Sequence, residues 1–181
     1  GSPGLSVSSK GLGARGLGLL DEENNLYWRA IRVHDLAAKA RLMLGRLGAT
    51  RLGLFGEVYG TGVQDLTYGV ASRNTPGFAL FDACVVDATG VRRWVGQPTL
   101  RRLATEIGIP MVPELYAGPY DYAVLAALAE GPTVLGRGLH MREGLVVRPL
   151  AERRDPASGG RAIAKFISPV YLLRKGGTEF E

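Results

Sequence analysis

The chain has 181 residues, 46% of them hydrophobic and 22% charged, a composition typical of one globular domain long enough to bury a core. Its 22 lysines and arginines outnumber its 17 acidic residues and give a net charge of +5, which favours a polyanionic partner such as a nucleotide or nucleic acid. A single cysteine excludes a disulfide framework within the chain, and no apolar run reaches membrane-spanning length, so we expect a cytoplasmic protein with no membrane partner.

The N-terminal stretch alternates like a strand from Leu5 to Ser9 and then enters a glycine-rich turn, residues 11–16. Backbone amides and the two cations of this turn, Lys10 and Arg15, could cradle a phosphate. A solvated loop without a ligand explains the same composition. The stretch by itself leaves both interpretations open.

The clearest helical pattern extends from Asn25 to Leu47, where apolar residues recur every three or four positions along one stripe. Acidic residues 21–23 precede this pattern and Gly48 follows it, as helix capping favours. Its basic residues lie largely off the stripe, and a solvated face explains them more simply than an RNA groove, although both remain open. Two shorter helices are predicted from Pro98 to Ile107 and from Tyr120 to Glu130.

Five segments have the length and the β-branched or aromatic content of strands: residues 51–60, 78–87, 91–94, 143–149 and 161–167. A short turn after the second segment and a Gly-rich connection after the fourth predict two hairpins. A helical turn beginning at Pro169 follows the last strand. Because strands and helices do not alternate regularly, this order predicts an α+β fold with largely antiparallel sheets and flanking helices.

Strand alternation places single charges on apolar strand faces. Glu143 shares a face with Leu145 and Val147, and Lys165 shares one with Ile163 and Ile167. A carboxylate in such a place needs a partner, and Lys165 is a candidate. A lysine that protects an edge strand and a glutamate in solvent at a strand end would explain the two charges separately.

The same alternation assigns faces in the first two strands. Leu52, Leu54 and Val58 are predicted on one face of the first strand, and Glu57 on the other. In the second strand Phe81 is predicted to point away from three residues that share the opposite face: Phe78, Leu80 and Asp82.

Four separated stretches occur in a fixed order: LFGEVYG (54–60), FALFDA (78–83), EGLVVRP (143–149) and AIAKFISPVYLLRK (162–175). Together they resemble the motifs of covalent nucleotidyltransferases, specifically the ATP-dependent RNA ligases that seal nicks. The chain is most similar to the bacterial type in which an OB-like module precedes the nucleotidyltransferase domain. The resemblance implies one ATP-grasp-like nucleotidyltransferase domain over residues 1–181.

The resemblance also implies how ATP is bound. Glu57 would accept a hydrogen bond from a ribose hydroxyl of the adenylate, and Phe81 would stack on the adenine. Glu143 would hold a catalytic Mg²⁺ or Mn²⁺, because such ions need hard oxygen ligands beside phosphate. Lys165 would stabilise the charge on the α-phosphate in the transition state.

Further cations are assigned by the same resemblance. Arg148 would bind nucleotide in place of a lysine that is frequent in related ligases, and Arg174 and Lys175 would contact phosphate or RNA. Ile163 replaces a second lysine two residues before Lys165, so some phosphate contact would come from Arg148 or Arg161.

The nucleophile in these enzymes is a lysine in a Lys-x-x-Gly motif, which attacks the α-phosphate of ATP. Lys10-Gly11-Leu12-Gly13 matches that motif literally. However, Ser9 and Lys10 also resemble the Ser-Arg pair that follows the nucleophile and contacts the adenylate, and their spacing to Glu57 favours this assignment. We therefore expect Ser9 and Lys10 to bind nucleotide, and the chain to begin downstream of its nucleophile.

These implications predict a monomeric RNA ligase domain that transfers AMP from ATP to a lysine and then to a 5′-phosphate RNA or DNA end. It would seal 3′-hydroxyl/5′-phosphate nicks in duplexes that contain RNA. The absent nucleophile motivates one alternative, a non-catalytic fragment that binds nucleotide or RNA. A related DNA ligase or an RNA-capping guanylyltransferase is another alternative, because these enzymes share the motifs.

Overall fold

The computed structural model describes residues 4–63 and 66–174. The helices are α1 (Lys10–Ala14), α2 (Leu26–Val33), α3 (Leu36–Arg46), α4 (Gln97–Ile107), α5 (Tyr122–Ala129) and α6 (Pro169–Leu172). The strands are β1 (Arg51–Tyr59), β2 (Gly77–Val86), β3 (Arg92–Trp94), β4 (Gly144–Val147) and β5 (Ala164–Ile167). Within the described ranges, none of the helices combines the length and apolar content that a membrane span requires.

Two antiparallel sheets form, one in the order β1-β2-β3 and the other from β4 and β5. The predicted α+β class and both predicted hairpins are confirmed. The β2–β3 turn is closed by the Asp87 carboxylate, whose Oδ1 accepts hydrogen bonds from the backbone amides of Thr89 and Val91. Gly90 takes φ 84°, a conformation that few other residues tolerate at such a turn.

One face of the three-stranded sheet packs on α2, α3 and α4 and forms the core with them. Met43 of α3, Leu80 of β2 and Leu100 of α4 are all completely buried there. The other face carries Phe55 and Glu57 of β1, which are both exposed. We call this second face the open face of the sheet.

Strand β2 contains a β-bulge at Phe81. Phe55 pairs with Asp82 while the next residue, Gly56, pairs with Leu80, so Phe81 is an extra residue without a partner on β1. The predicted alternation is therefore wrong for Asp82, which lies opposite Phe55 on the open face although Leu80 is in the core. The physical reason is the inserted residue, which reverses the face of every side chain beyond it.

Two N-terminal predictions are also wrong. The single helix predicted from 25 to 47 is two helices, because Asp35 between them adopts the left-handed conformation with φ 51°. Asparagine and aspartate tolerate this conformation better than most residues, and it redirects the chain between α2 and α3. Residues 5–9 form no strand, since among the described residues they find no strand partner, and the predicted glycine-rich turn begins as the short helix α1.

The β4–β5 hairpin packs beside α5. The Arg142 guanidinium, just before β4, donates hydrogen bonds to the carbonyls of Glu130 and Pro132 beyond the end of α5, at 3.1 and 3.0 Å. The buried Ser168 hydroxyl, just after β5, donates to Oε2 of Glu130 at 2.8 Å. The residues that precede β4 and follow β5 therefore both bind the C-terminal end of α5.

Candidate functional site

The β4–β5 hairpin is connected to the three-stranded sheet by two polar contacts, one near each end of β4. At the first end, the Tyr68 hydroxyl donates a hydrogen bond to Oε1 of Glu143. At the second end, Arg148 and Arg161 reach the Asp82 carboxylate on the open face. The second contact joins the hairpin to the open face of the sheet, which also carries Glu57.

The first contact gives the Glu143 carboxylate a defined direction. Tyr68 follows β1 in a left-handed conformation with φ 49°, and its ring packs edge-on against Tyr59 and His140 with centroid distances of 5.7 and 5.9 Å. Burial raises the pKa of the Tyr59 phenol, so this ring stays neutral throughout the physiological range. The strained backbone and the packed rings together orient the hydroxyl that binds Glu143.

The second contact is a buried cluster of charges around Asp82, which is only 4% exposed. Arg161 Nη1 lies 2.5 Å from Oδ2 of Asp82, and Arg161 Nη2 lies 2.5 Å from Oε1 of Glu152. The Arg161 guanidinium also stacks on the Trp94 ring, 3.8 Å from its centroid. Partial burial lowers the pKa of Arg161, but its hydrogen bonds to Glu152 and Asp82 outweigh this and raise it.

Arg148 makes fewer contacts in this cluster than Arg161 does. Its Nη1 lies 3.3 Å from Oδ2 of Asp82, which makes an ion pair, yet the same buried nitrogen has no hydrogen-bond acceptor in the described part of the chain. The ion pair and the missing hydrogen bond are compatible, because Asp82 can balance the charge of Arg148 at this distance without the donor–acceptor angle that a hydrogen bond requires. Arg148 thus keeps donor capacity for a further anion.

Glu57 and Phe81 lie between the two contacts along the sheet. Glu57 is on the open face of β1, between Phe55, which pairs with Asp82, and Tyr59, whose ring touches Tyr68. Phe81 is half-buried between the buried residues of β2, and its bulge position turns its side chain out of the regular alternation. Glu57 thus shares the open face with Asp82, the ion-pair partner of Arg148; that Glu57 and Phe81 meet the same ligand as Glu143 stays a prediction.

Lys165 is exposed and pairs with Val146, which is 53% exposed. Ile167 shares its face of β5, as predicted, and is 41% exposed. Ile163, 40% exposed, lies before the first residue of β5, so its predicted place on that face stays untested. The candidate ion pair between Lys165 and Glu143 is not found among the described residues, where the Glu143 carboxylate accepts a hydrogen bond from Tyr68. The register explains this result, since Gly144 pairs with Ile167 and places Lys165 further along β4.

The remaining predicted residues lie at the two ends of the described chain. Ser9 caps α1 through its backbone and the exposed Lys10 is the first residue of that helix; no contact within the described ranges joins either one to the β4–β5 hairpin. Arg174 follows α6, where its guanidinium stacks over the Tyr171 ring at 3.5 Å. Lys175 lies outside the described residues.

The donor chemistry of the site fits a divalent ion that is held partly by a nucleotide. No three or more His, Cys, Asp or Glu side chains of the described ranges are grouped closely enough to hold a metal by themselves. Mg²⁺ is commonly bound by one or two carboxylates together with substrate phosphates and water. Glu143, with its fixed carboxylate, can supply the protein ligand of such a set.

Two residues of this site had no assigned role from the sequence. Asp82 is a charge within the apolar run of β2, and that signal could have marked it as a buried ion-pair residue. Tyr68 lies in a connection without any periodic pattern, so no sequence signal indicated that it would reach Glu143.

The family model described as RNA ligase matches residues 5–167. That range includes β1 to β5 with the first three motif stretches and the beginning of the fourth. No curated protein matches the chain.

Proposed function

The chain belongs to the RNA ligase family, and from this premise we propose that it is the ATP-dependent nucleotidyltransferase domain of a nick-sealing ligase. A lysine amine attacks the α-phosphorus of ATP, forming a phosphorus–nitrogen bond as pyrophosphate leaves and the amine loses a proton. A 5′-phosphate oxygen then takes the AMP group from the lysine. Finally, a 3′-hydroxyl attacks the activated 5′-phosphate, loses its proton and releases AMP.

One observation supports this proposal: Glu143 and Arg148, at the two ends of β4, contact Tyr68 and Asp82, and Asp82 lies on the same face of the three-stranded sheet as Glu57. A nucleotide between the sheets would meet an aromatic ring, an acceptor for its ribose and cations for its phosphates. These are the groups that adenylate binding requires.

The proposed roles follow from the chemistry of each side chain. Phe81 stacks on the adenine and Glu57 accepts a hydrogen bond from the ribose. Arg148, with its spare donor, binds a phosphate oxygen. Lys165, exposed on β5, stabilises the negative charge that develops on the α-phosphate.

Glu143 would hold Mg²⁺ or Mn²⁺, and the ion would neutralise phosphate charge during transfer. Replacement of Glu143 by alanine is expected to abolish metal-dependent sealing in the full-length protein. Unchanged sealing would contradict the role of Glu143.

The test of the function is an intact-mass measurement after this chain has been incubated with ATP and Mg²⁺ or Mn²⁺. An AMP adduct on Lys10 would identify it as the nucleophile and contradict its assignment to the second motif. No adduct, together with ATP binding that Glu57 or Phe81 substitution weakens, would support a ligase domain whose lysine lies upstream. Absence of both adduct and nucleotide binding would refute the proposed function for this chain.

A second candidate function is a non-catalytic nucleotide- or RNA-binding fragment. It is favoured by the exposed position of Lys10 on α1, without a described contact to the hairpin. Ligation by this polypeptide alone would exclude it. A competition of ATP against GTP and NAD separates the ligase from a capping guanylyltransferase or an NAD-dependent DNA ligase, and we expect a preference for ATP.

The proposed partner is a nicked duplex that contains RNA, bound by one copy of the chain in the cytoplasm. Arg174 and Lys175 are proposed to contact its phosphates. The salt dependence of duplex binding would test these contacts.

A further inference from the structure

A concave surface lies beside the Asp82 charge cluster, with which it shares Arg161 and Glu152. It is a cavity of about 440 Å³ lined by Arg93 and Trp94 of β3 and by residues 152–154 and 159–161 of the β4–β5 connection. We call it the arginine groove. Four of its eight lining residues are arginines and one is a glutamate, so its chemistry is that of an anion site.

The charges of the groove are only partly balanced. Arg161 is compensated by Asp82 and Glu152. By contrast, Arg93, Arg153 and Arg154 are exposed, and no carboxylate of the described residues lies within ion-pair distance of their guanidinium groups. Asp87 is near enough to Arg93 for an electrostatic interaction but not for an ion pair. An anion bound between the arginines would therefore reduce their mutual repulsion.

The groove is built by an ordered connection. Arg154 and Arg161 form an antiparallel bridge, and the Ala162 amide donates to the Arg153 carbonyl at 3.0 Å. The Arg154 guanidinium donates to the Gly159 carbonyl at 3.0 Å, which fixes it at the groove. The Asp155 carboxylate accepts hydrogen bonds from the following turn, and these bonds lower its pKa. Arg153, Arg154 and Arg161 thus lie in a connection whose backbone is held by hydrogen bonds.

The shape of the groove favours a polymer backbone over a small molecule. Most of its lining residues are exposed, whereas pockets for small ligands usually bury most of the ligand surface. The aromatic ring of the groove is that of Trp94. Arg161 covers one of its faces and Phe55 packs against it, so this ring is not free to stack a base. Guanidinium forks without a stacking platform suit phosphate oxygens.

We propose that the arginine groove binds the phosphate backbone of the nucleic acid flanking the nick, chiefly through Arg93 and Arg153. The proposal rests on the proposed ligase function for the identity of the polyanion. Arg161 touches both this groove and Asp82, which Arg148 also contacts, so a bound strand would continue directly toward the nucleotide site. Because phosphate contacts carry no base information, this binding would be independent of sequence.

The test is fluorescence anisotropy of a labelled nicked duplex with this chain, measured over a range of salt concentrations. The variant is Arg93→Gln/Arg153→Gln, since neither side chain makes a hydrogen bond or ion pair in the described part of the chain. We expect roughly tenfold weaker binding from the loss of two charge-assisted contacts. The slope of log affinity against log salt should become shallower by roughly 2.

The matched control is Arg41→Gln/Arg46→Gln, which removes the same charge from exposed positions of α3, on the core side of the sheet. Arg46 lies 4.0 Å from Glu106, an exposed pair that contributes little to stability. Equal weakening in both double variants would mean general electrostatics and would overturn the groove assignment. Unchanged duplex binding in the groove variant, or no duplex binding by the unmodified chain, would also overturn it. If the groove variant instead loses only tripolyphosphate binding, the groove is a site for free polyphosphate and the proposal is wrong.

ATP binding in the absence of nucleic acid separates this proposal from the proposed function. The groove variant should bind ATP as the unmodified chain does and retain its thermal midpoint. If the chain binds the duplex through Arg93 and Arg153 but never binds ATP, the ligase function fails while the groove assignment survives.

Discussion

The Tyr68 hydroxyl donates a hydrogen bond to the carboxylate of Glu143 across 75 positions of sequence. This contact joins the connection after β1 to the start of β4, and thus joins the two sheets. It orients the one carboxylate that we propose as the metal ligand. Removal of a residue that orients a metal ligand in this way commonly lowers the affinity for the metal by about 10-fold to 100-fold.

Replacement of Tyr68 by phenylalanine should therefore raise the Mg²⁺ concentration needed for ATP binding by about tenfold. The phenyl ring would keep its packing against Tyr59 and His140, so the fold should be retained. A Mg²⁺ titration of ATP binding, followed by calorimetry, measures the effect. Tyr59→Phe is the matched control, since it removes a hydroxyl from the neighbouring ring; an equal shift in both variants, or none in Tyr68→Phe, would contradict the positioning role.

Replacement of Asp82 by asparagine should strongly destabilise the protein. The carboxylate is buried between Arg148 and Arg161. Its loss would leave Arg148 without a carboxylate partner among the described residues, while Arg161 would keep Glu152. Breaking a buried pair in this way costs about 3–5 kcal/mol of the free energy of unfolding. Urea denaturation measures the loss.

The control for Asp82 is Glu106→Gln, which removes one partner of an exposed pair with Arg102. Its cost should be no more than about 0.5 kcal/mol. Similar small losses for both substitutions would show that the Asp82 cluster contributes little to stability.

Replacement of Phe81 by leucine should weaken ATP binding while leaving the binding of tripolyphosphate unchanged. Stacking on an aromatic ring contributes about 1–3 kcal/mol for each base, so we expect a loss of tenfold or more in ATP affinity. Calorimetric titration with the two ligands measures the difference. A parallel loss for both ligands would indicate a general disturbance of the bulge and not the loss of stacking.

The β2–β3 turn should contribute a stability term that depends on pH. Hydrogen bonds from the Thr89 hydroxyl and the Val91 amide lower the pKa of Asp87 below its usual value of 3.8. The stabilisation is therefore present above that value and is lost as the pH falls through the lower pKa of the folded state. The thermal midpoint of the unmodified chain should exceed that of Asp87→Asn at pH 6, and the difference should shrink toward pH 2; a difference independent of pH would contradict this account.

The local pattern of apolar and polar residues was sufficient to predict much of the fold. The five strands, both hairpins and helices α4 and α5 follow from segments whose composition, period and flanking glycines or prolines agree. The resemblance carried by the four motif stretches also predicted a ligase, and the family match confirms the RNA ligase family. The roles of Glu57, Phe81, Glu143 and Lys165 stay predictions.

Two predictions failed because the backbone departs from the regular helical or strand period that the sequence pattern indicates. A helical stripe is continuous across residues 25–47, yet one left-handed residue, Asp35, divides it into two helices. Alternation is regular in FALFDA, yet the bulge at Phe81 transfers Asp82 to the opposite face. Neither backbone departure changes composition, so neither is visible in a pattern of apolar and polar residues.

The sequence by itself determined most of the strands and helices, the class of the fold and the residue types available for adenylate chemistry, because these depend on neighbours within a few positions. Only the tertiary structure decided that Glu143 pairs with Tyr68 instead of Lys165, that Asp82 joins Arg148 to Arg161, and that arginines from β3 and from the β4–β5 connection line one groove. Those contacts join residues that are distant in sequence, and they depend on strand register and loop closure, which no local pattern encodes.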